Sequence, residues 1–184
     1  PEAYRDLLDV VVEEVDRLDR VVADFLAYAR PTSGKPSILD VNQIINRSVS
    51  VFRTRLDTDA VIETDLAKEL PLVKVDGERL HQVFLNLMLN GVQAAADQTE
   101  KRIIISTRVR TVRPQLIIAE KNIDNRFVEI RFADNGTGFP PKVIENIFIP
   151  FYTTKESGSG LGLSISLRII RDAGGEIEVQ STLG

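Results

Sequence analysis

Cysteine is absent from this 184-residue chain, so neither a disulfide framework nor a thiolate metal site can be built from it, and a reducing compartment suits the sequence. Long apolar runs are absent too. None approaches the roughly 18 residues needed to cross a bilayer, and no signal peptide opens the chain. The sequence starts in mid-helix, on Pro1 and Glu2, as an excised piece would, which leaves room for a membrane-spanning segment upstream. Positive charge is not in excess. With 23 Lys and Arg against 27 Asp and Glu, the net charge of −4 argues against a nucleic-acid surface built on general positive charge. Internal repeats and low-complexity segments are missing as well. What the chain does have is 43% hydrophobic and 27% charged residues, enough for a substantial core in one ordinary domain with an appendage.

The appendage comes first. Leu8, Val11, Val15, Leu18, Val22, Phe25 and Ala29 step alternately by three and four, the spacing of a coiled-coil seam. Glu13, Glu14, Asp16, Arg17, Asp19 and Arg20 fill the other faces, and a seam this regular favours a partner helix over a helix lying on its own domain. Pro31 stops the helix and Thr32 to Pro36 reads as a linker, which divides the chain into a region over 1–34 and a domain over 35–184. Within the domain, Asp40 and Gln43 suggest an N-cap and capping box for a helix carrying Ile44, Ile45, Val49, Phe52 and Leu56. Strand-like runs follow at Val61 to Leu66 and Leu72 to Val75. Asp76 suits the cap of a long helix through Ala96, buried along Leu80, Val83, Phe84, Leu87 and Met88. Arg102 to Arg110 and Phe127 to Ala133 read as strands joined by a long connection, Thr111 to Arg126, to which no role is assigned. A short helix over Lys142 to Phe148, a glycine-rich loop, a helix from Leu161 to Asp172 and a strand from Glu176 to Gln180 complete the order. Hairpins mixed with helices predict an α+β, two-layer sandwich with a mixed sheet.

Four segments carry candidate chemistry. Asn86 and Asn90 are four apart on the long helix and so share a face, and an amide oxygen suits Mg²⁺, which prefers oxygen donors. Alone, such asparagines are usually polar surface. Asp134-Asn135-Gly136-Thr137-Gly138-Phe139-Pro140 follows a strand, so a carboxylate at the strand's end could accept a hydrogen bond from an exocyclic amine, although a plain Asp-Asn-Gly turn has the same appearance. Phe148 to Lys155 combines aromatic anchors with the hydroxyls of Thr153 and Thr154 and an ammonium. Gly158-Ser159-Gly160-Leu161-Gly162-Leu163 opens a helix whose free N–H groups and positive end favour phosphate. That run lacks the GK[ST] ending of a P-loop and no dinucleotide unit surrounds it.

In this order and spacing the four segments resemble the N, G1, F and G2 boxes of the histidine-kinase catalytic domain, a member of the GHKL or Bergerat-fold ATPase superfamily. The resemblance covers Ile38 to Gly184, and NLMLNGVQAA with FIPFYTTK is similar to the nitrogen-regulation sensor subgroup. It implies ATP and Mg²⁺ as ligands, with Asn90 holding the metal on the phosphates, Asn86 lining the same site and Asp134 receiving the adenine amine. Gly136 and Gly138 would give the base room. Gly158, Gly160, Leu161 and Gly162 would shape a lid whose amides face the phosphates, with Thr154 and Lys155 beside them and Phe148 and Phe151 at the hinge. The N-terminal helix would be the second helix of the dimerisation and phosphoacceptor hairpin, giving a homodimer in the whole protein. The γ-phosphate would pass to a histidine on a helix this chain does not contain, then to a response regulator receiver domain. Such a domain is expected to be cytoplasmic, in a parent protein that is free to be membrane-anchored, and not to phosphorylate itself alone.

His81 lies on the long helix between Leu80 and Gln82 and reads as a surface or partly buried residue, not as the phosphoacceptor. At the far end the family usually continues from a segment like STLG into a further turn and a last strand, so one sheet edge is expected to be uncovered. Two rival readings differ in class. A hydrolysing relative of the DNA gyrase or MutL type would carry a glutamate four residues before the metal-binding asparagine, where this chain has Asn86, and an amide cannot act as a general base. A nucleotide-binding regulatory module without phosphotransfer is the other, and four intact boxes argue against it.

Overall fold

The computed structural model describes residues 34–55, 59–111, 126–155 and 158–183, with scattered positions from Tyr4 to Leu26. The chain divides into two compact units, one comprising Pro1–Ser33 with Pro141–Val179, the other Gly34–Pro140 with Gln180–Gly184.

The second unit holds the sheet. Strand β1 (Ser37–Leu39) pairs antiparallel with β3 (Val73–Val75). A three-stranded sheet runs in the order β2 (Val61–Asp65), β4 (Arg102–Thr111), β5 (Arg126–Asp134), with β2 and β4 parallel and β4 and β5 antiparallel. The sheet is therefore mixed, and two helices supply the other layer: α1 (Val41–Arg55) and α2 (Gly77–Ala94). Alternation along β4 turns Ile103, Ile105 and Thr107 inward, where they are at most 2% exposed. Phe84 of α2 meets Phe132 of β5 with ring centroids 5.5 Å apart. Val41, Ile45, Val49 and Phe52 of α1 and Leu80, Val83, Phe84 and Met88 of α2 are the helical share of the core. The opposite sheet face carries cross-strand ion pairs, Arg102 with Glu63 at 2.5 Å, Arg110 with Glu129 at 3.0 Å, and Arg108 with Asp65. All are substantially exposed and contribute little to stability.

One buried polar ring ties helix to sheet. Thr107 Oγ1 accepts the Ala67 N–H at 2.9 Å and donates to Asn42 Oδ1 at 3.1 Å, while Asn42 Nδ2 donates to the Ala67 carbonyl at 2.8 Å. A hydroxyl with no exposure is tolerated there because both of its bonding directions are used.

In the first unit, α3 (Pro141–Ile144) and α4 (Gly162–Asp172) are helices, and the described positions between Tyr4 and Leu26 are helical and exposed. The seam positions Phe25 and Ala29, the linker up to Ser33, Leu56 and most of the 111–126 connection lie outside the described residues. Among the described residues no helix is long and apolar enough to cross a membrane.

Three expectations need correction, and one strand was not foreseen. The helix over Lys142 to Phe148 stops at Ile144, because the Asn146 N–H goes back three residues to Val143 and its side chain takes the Lys142 carbonyl, replacing the regular ladder with turns. The reciprocal capping box at Asp40 does not form. Asp40 accepts the Asn42 N–H at 2.9 Å, but the Gln43 amide donates to the same carboxylate at 3.4 Å rather than accepting from the Asp40 backbone. Glu176 to Gln180 keeps alternating exposure without becoming a strand, since among the described residues no ladder reaches it. β1 was not anticipated. Three residues are too few to show a period, and its pairing with β3 alone defines it.

Candidate functional site

Helix α2 begins where Asp76 Oδ1 accepts the N–H groups of Glu78 at 3.0 Å and Arg79 at 3.2 Å. The linker touches this cap: a Cβ added at Gly34 would lie 1.3 Å from Asp76 Oδ2. Outside the buried stripe, Glu78 pairs with Arg47 of α1 at 2.5 Å, and the Arg47 hydrogen bond and charge hold its carboxyl below the usual glutamate range. Ser48 of α1 meets His81 of α2, Oγ to Nδ1 at 2.6 Å. The same hydroxyl donates its one proton to the Ile44 carbonyl at 2.7 Å, so Nδ1 must carry a proton and donate to Ser48. His81 is thus a half-buried helix-pairing residue, as its position implied.

Asn86 and Asn90 are half-buried on α2, and both have bonded partners. Immediately after Asn90 comes Gly91, fully buried, where an added Cβ would stand 3.2 Å from Asp134 Cβ and 3.3 Å from Ile103 Cδ1. The helix therefore passes directly beneath the end of β5. Asp134 is exposed there, with Oδ1 accepting the Gly136 N–H at 3.0 Å. Asn135 fastens the turn to β4: its Oδ1 accepts the Arg102 N–H and its Nδ2 donates to the Glu100 carbonyl, both at 2.8 Å.

The loop continues across the carboxyl end of α2. Thr137 N–H donates to the Ala94 carbonyl at 3.2 Å, and a Cβ on Gly136 would come within 2.6 Å of Ala94 Cβ. Gly138 has φ +71, and a Cβ there would meet the Thr182 carbonyl oxygen at 2.1 Å. Next to it the Phe139 N–H donates to Ser181 Oγ at 2.8 Å. Tail and loop thus interlock.

The remaining predicted residues lie in the other unit. Phe151 is the one described non-glycine residue with positive φ, at +66, and it is 57% exposed. Its N–H donates to the Gly160 carbonyl at 3.0 Å, and Gly160, itself at φ +68, would bring a Cβ within 2.5 Å of the Phe151 carbonyl carbon. A left-handed phenylalanine costs about 1–3 kcal/mol and is held by such contacts. Phe148 is half-buried on a cleft of about 320 Å³ that it shares with Pro150, Leu167, Arg168 and Arg171. Thr154 is exposed. Lys155 is half-buried, its N–H donating to Thr153 Oγ1 at 3.1 Å and its carbonyl accepting the Gly158 N–H at 3.3 Å. Leu161, with no exposure, stands at the start of α4, and that helix start has no side-chain cap. The N–H groups of Gly162, Leu163 and Ser164 therefore present the positive end of the helix to whatever approaches, the Ile165 N–H being the first taken by the helix, at the Leu161 carbonyl.

Asn86, Asn90, Asp134, Gly136 and Gly138 are thus gathered in one unit, and Phe148, Phe151, Thr154, Lys155, Gly158, Gly160, Leu161 and Gly162 in the other. Residue-by-residue reading overlooked Gly91, Asn135 and Ser181. Asn135 was legible as the centre of an Asp-Asn-Gly turn, whereas Gly91 and Ser181 gain their roles from contacts remote in sequence.

A family model described as histidine kinase-, DNA gyrase B-, and HSP90-like ATPase matches residues 75–184. The sensory histidine kinase/phosphatase NtrB of Vibrio alginolyticus is 33% identical over 179 residues, covering 95% of this chain and 48% of NtrB. The sensor histidine kinase ZraS of Escherichia coli O157:H7 is 32% identical over 97% of this chain and 36% of its own length. The chain thus spans about half or less of these relatives. Among solved structures, full-length ShkA in complex with AMPPNP superposes with a TM-score of 0.71 at 25% identity, covering 98% of this chain and 36% of ShkA.

Proposed function

The chain belongs to the histidine kinase-, DNA gyrase B- and HSP90-like ATPase family and has its α+β Bergerat fold, and from that premise we propose that it is the ATP-binding catalytic part of a two-component sensor histidine kinase. The observation that carries this is the seating of Asp134 on the same helix that bears Asn86 and Asn90, inside the matched segment. Similarity to the sensor kinases NtrB and ZraS supports the kinase reading, and the AMPPNP bound by ShkA supports a nucleoside triphosphate ligand.

Each residue then has a task. Asp134, acceptor-only when ionised, takes the adenine amine. Asn90 offers an amide oxygen to Mg²⁺, with Asn86 one turn back on the same flank; the metal, when bound, neutralises phosphate charge. The uncapped start of α4, with Gly160 and Gly162, offers backbone N–H groups to the phosphates, Gly158 turns the loop with its own N–H held by the Lys155 carbonyl, and Thr154 and Lys155 add a hydroxyl and a positive charge. Gly136 and Gly138 let the loop after Asp134 close against Ala94 and Thr182 beside the base, and Phe148 and Phe151 anchor the turn before the glycine-rich loop. Phosphoryl transfer is chiefly positioning and charge neutralisation, so no covalent chemistry is asked of this chain.

The nucleophile is a histidine other than His81, which lies on the long helix itself and pairs it with α1 through Ser48. It belongs to the dimerisation hairpin, with the helix over residues 1–34 as that hairpin's second member and residues 35–184 as the catalytic domain. Pairing of the seam makes the whole protein a homodimer on the cytoplasmic side, and a response regulator receiver domain receives the phosphate.

Asn86 stands where a hydrolysing member would need a carboxylate, which favours donation over hydrolysis. The test mixes the chain, radiolabelled ATP and Mg²⁺ with a separately supplied phosphoacceptor hairpin. Label on the hairpin's histidine is expected. Demonstrable ATP binding without labelled histidine, or rapid ATP turnover that Asn86→Ala abolishes, would overturn the reading.

A further inference from the structure

We propose that Ser181 is a positioning residue for the nucleobase: its hydroxyl holds the far end of the loop that begins at Asp134, an inference that rests on the role just given to Asp134. That loop is tied down at alternate residues. The Asn135 N–H donates to the Arg102 carbonyl at 3.3 Å, the Thr137 N–H to the Ala94 carbonyl at 3.2 Å, and the Phe139 N–H to Ser181 Oγ at 2.8 Å. The first two acceptors are backbone atoms of β4 and α2, which any residue supplies. The third is a side-chain oxygen 42 residues away in sequence, so of these three donors only Phe139 has an acceptor that a single substitution deletes.

No neighbouring donor can replace it. Pro140 and Pro141 follow, and proline has no N–H, so Phe139 carries the last backbone donor of the loop before Lys142. Close packing reinforces the hydrogen bond. Gly138, at φ +71, would bring a Cβ within 2.1 Å of the Thr182 carbonyl oxygen and 3.0 Å of Ser181 Oγ, so the tail lies directly on the loop. At the near end Asp134 fixes itself, its Oδ1 accepting the Gly136 N–H at 3.0 Å. The two ends of the loop are thus held by different devices, and only the far one depends on the tail. Ser181 and Phe139 are both half-buried. Water can therefore take the Phe139 N–H once the hydroxyl is gone, so the fold survives Ser181→Ala while the loop loses its fixed place beside the base.

The experiment measures dissociation constants of the full chain, with Mg²⁺, for ATP, for adenosine and for inorganic tripolyphosphate, which has the phosphates without the base. It compares wild type, Ser181→Ala, and Ser181→Thr, which keeps the hydroxyl. Ser181→Ala is expected to weaken ATP and adenosine by the same factor, about fivefold, the worth of one neutral hydrogen bond, and to leave tripolyphosphate unchanged. Ser181→Thr should restore both affinities. Unchanged ATP affinity in Ser181→Ala, an equal loss for tripolyphosphate, no recovery in Ser181→Thr, or a Ser181→Ala chain that does not fold would overturn the proposal by assigning Ser181 to the fold alone. A wild-type chain that binds tripolyphosphate as tightly as ATP would instead overturn the base-binding role of Asp134, and this proposal with it.

Discussion

Replacing Gly34 by alanine should unfasten a helix more than 40 residues away in sequence, and only while Asp76 is present. The new Cβ would lie 1.3 Å from Asp76 Oδ2 and 2.4 Å from its Cγ, an overlap that forces the carboxylate out of its place. That carboxylate accepts the N–H groups of Glu78 and Arg79 at the start of α2. Loss of an aspartate N-cap costs about 1 kcal/mol, and loss of an anion at the positive helix end adds about 0.5 kcal/mol. Gly34→Ala and Asp76→Ala should therefore each lower stability by about 1.5 kcal/mol. In the double variant the alanine at 34 meets no carboxylate, so the loss should stay near that of Asp76→Ala alone. The implied coupling of about 1.5 kcal/mol stands well above the scatter of roughly 0.3–0.5 kcal/mol expected of independent sites. Urea denaturation followed by circular dichroism, with unchanged m-values, measures all four proteins. Additive losses totalling about 3 kcal/mol would refute the contact.

Thr107→Val should cost about 2 kcal/mol in the same assay, because the Ala67 N–H and the Asn42 amide lose a buried partner, while Thr107→Ser should retain most of the stability. The lowered pKa of Glu78 means the unfolded chain takes up that proton first as pH falls. Its contribution is intact at neutral pH and is lost through and below the ordinary glutamate range, so between about pH 6 and pH 3 the wild type should lose more stability than Glu78→Gln. Gly160→Ala, strained at φ +68 and colliding with the Phe151 backbone, should weaken ATP binding while leaving adenosine binding nearly unchanged, as read by calorimetry. Asn90→Asp should alter Mg²⁺-dependent nucleotide binding more than binding measured with a chelator, and equal changes would count against a metal role for Asn90.

Elements with several repeats of their period were legible from the residues. The spacing of Leu80, Val83, Phe84 and Met88 behind Asp76, and the alternation through Ile103 and Ile105, placed α2 and β4 to within a residue or two. The mixed sheet followed from the order of elements. Glu176 to Gln180 shows the limit of that reasoning, since alternation describes one strand while a ladder needs two. For the candidate site, residue type pointed to Asp134, Asn86 and Asn90, but the reasons for the glycines were partly hidden. Gly136 was read as space for a base, and its missing side chain is also required by Ala94, within 2.6 Å of where a Cβ would be. Gly91 was not singled out, because nothing local announces that Asp134 lies above it.

The interlock of Ser181 and Thr182 with the loop at Gly138 and Phe139 gives the molecule an internal gauge. Ser181 Oγ accepts the Phe139 amide, so deuterium should enter at that amide chiefly when the tail lifts, and its protection factor should follow the free energy of tail release rather than that of global unfolding. If tail release and the loop bearing Asp134 form one cooperative unit, a nucleotide that orders the loop should slow exchange at Phe139 without touching it. A proteolytic cut ahead of Ser181 should abolish that response.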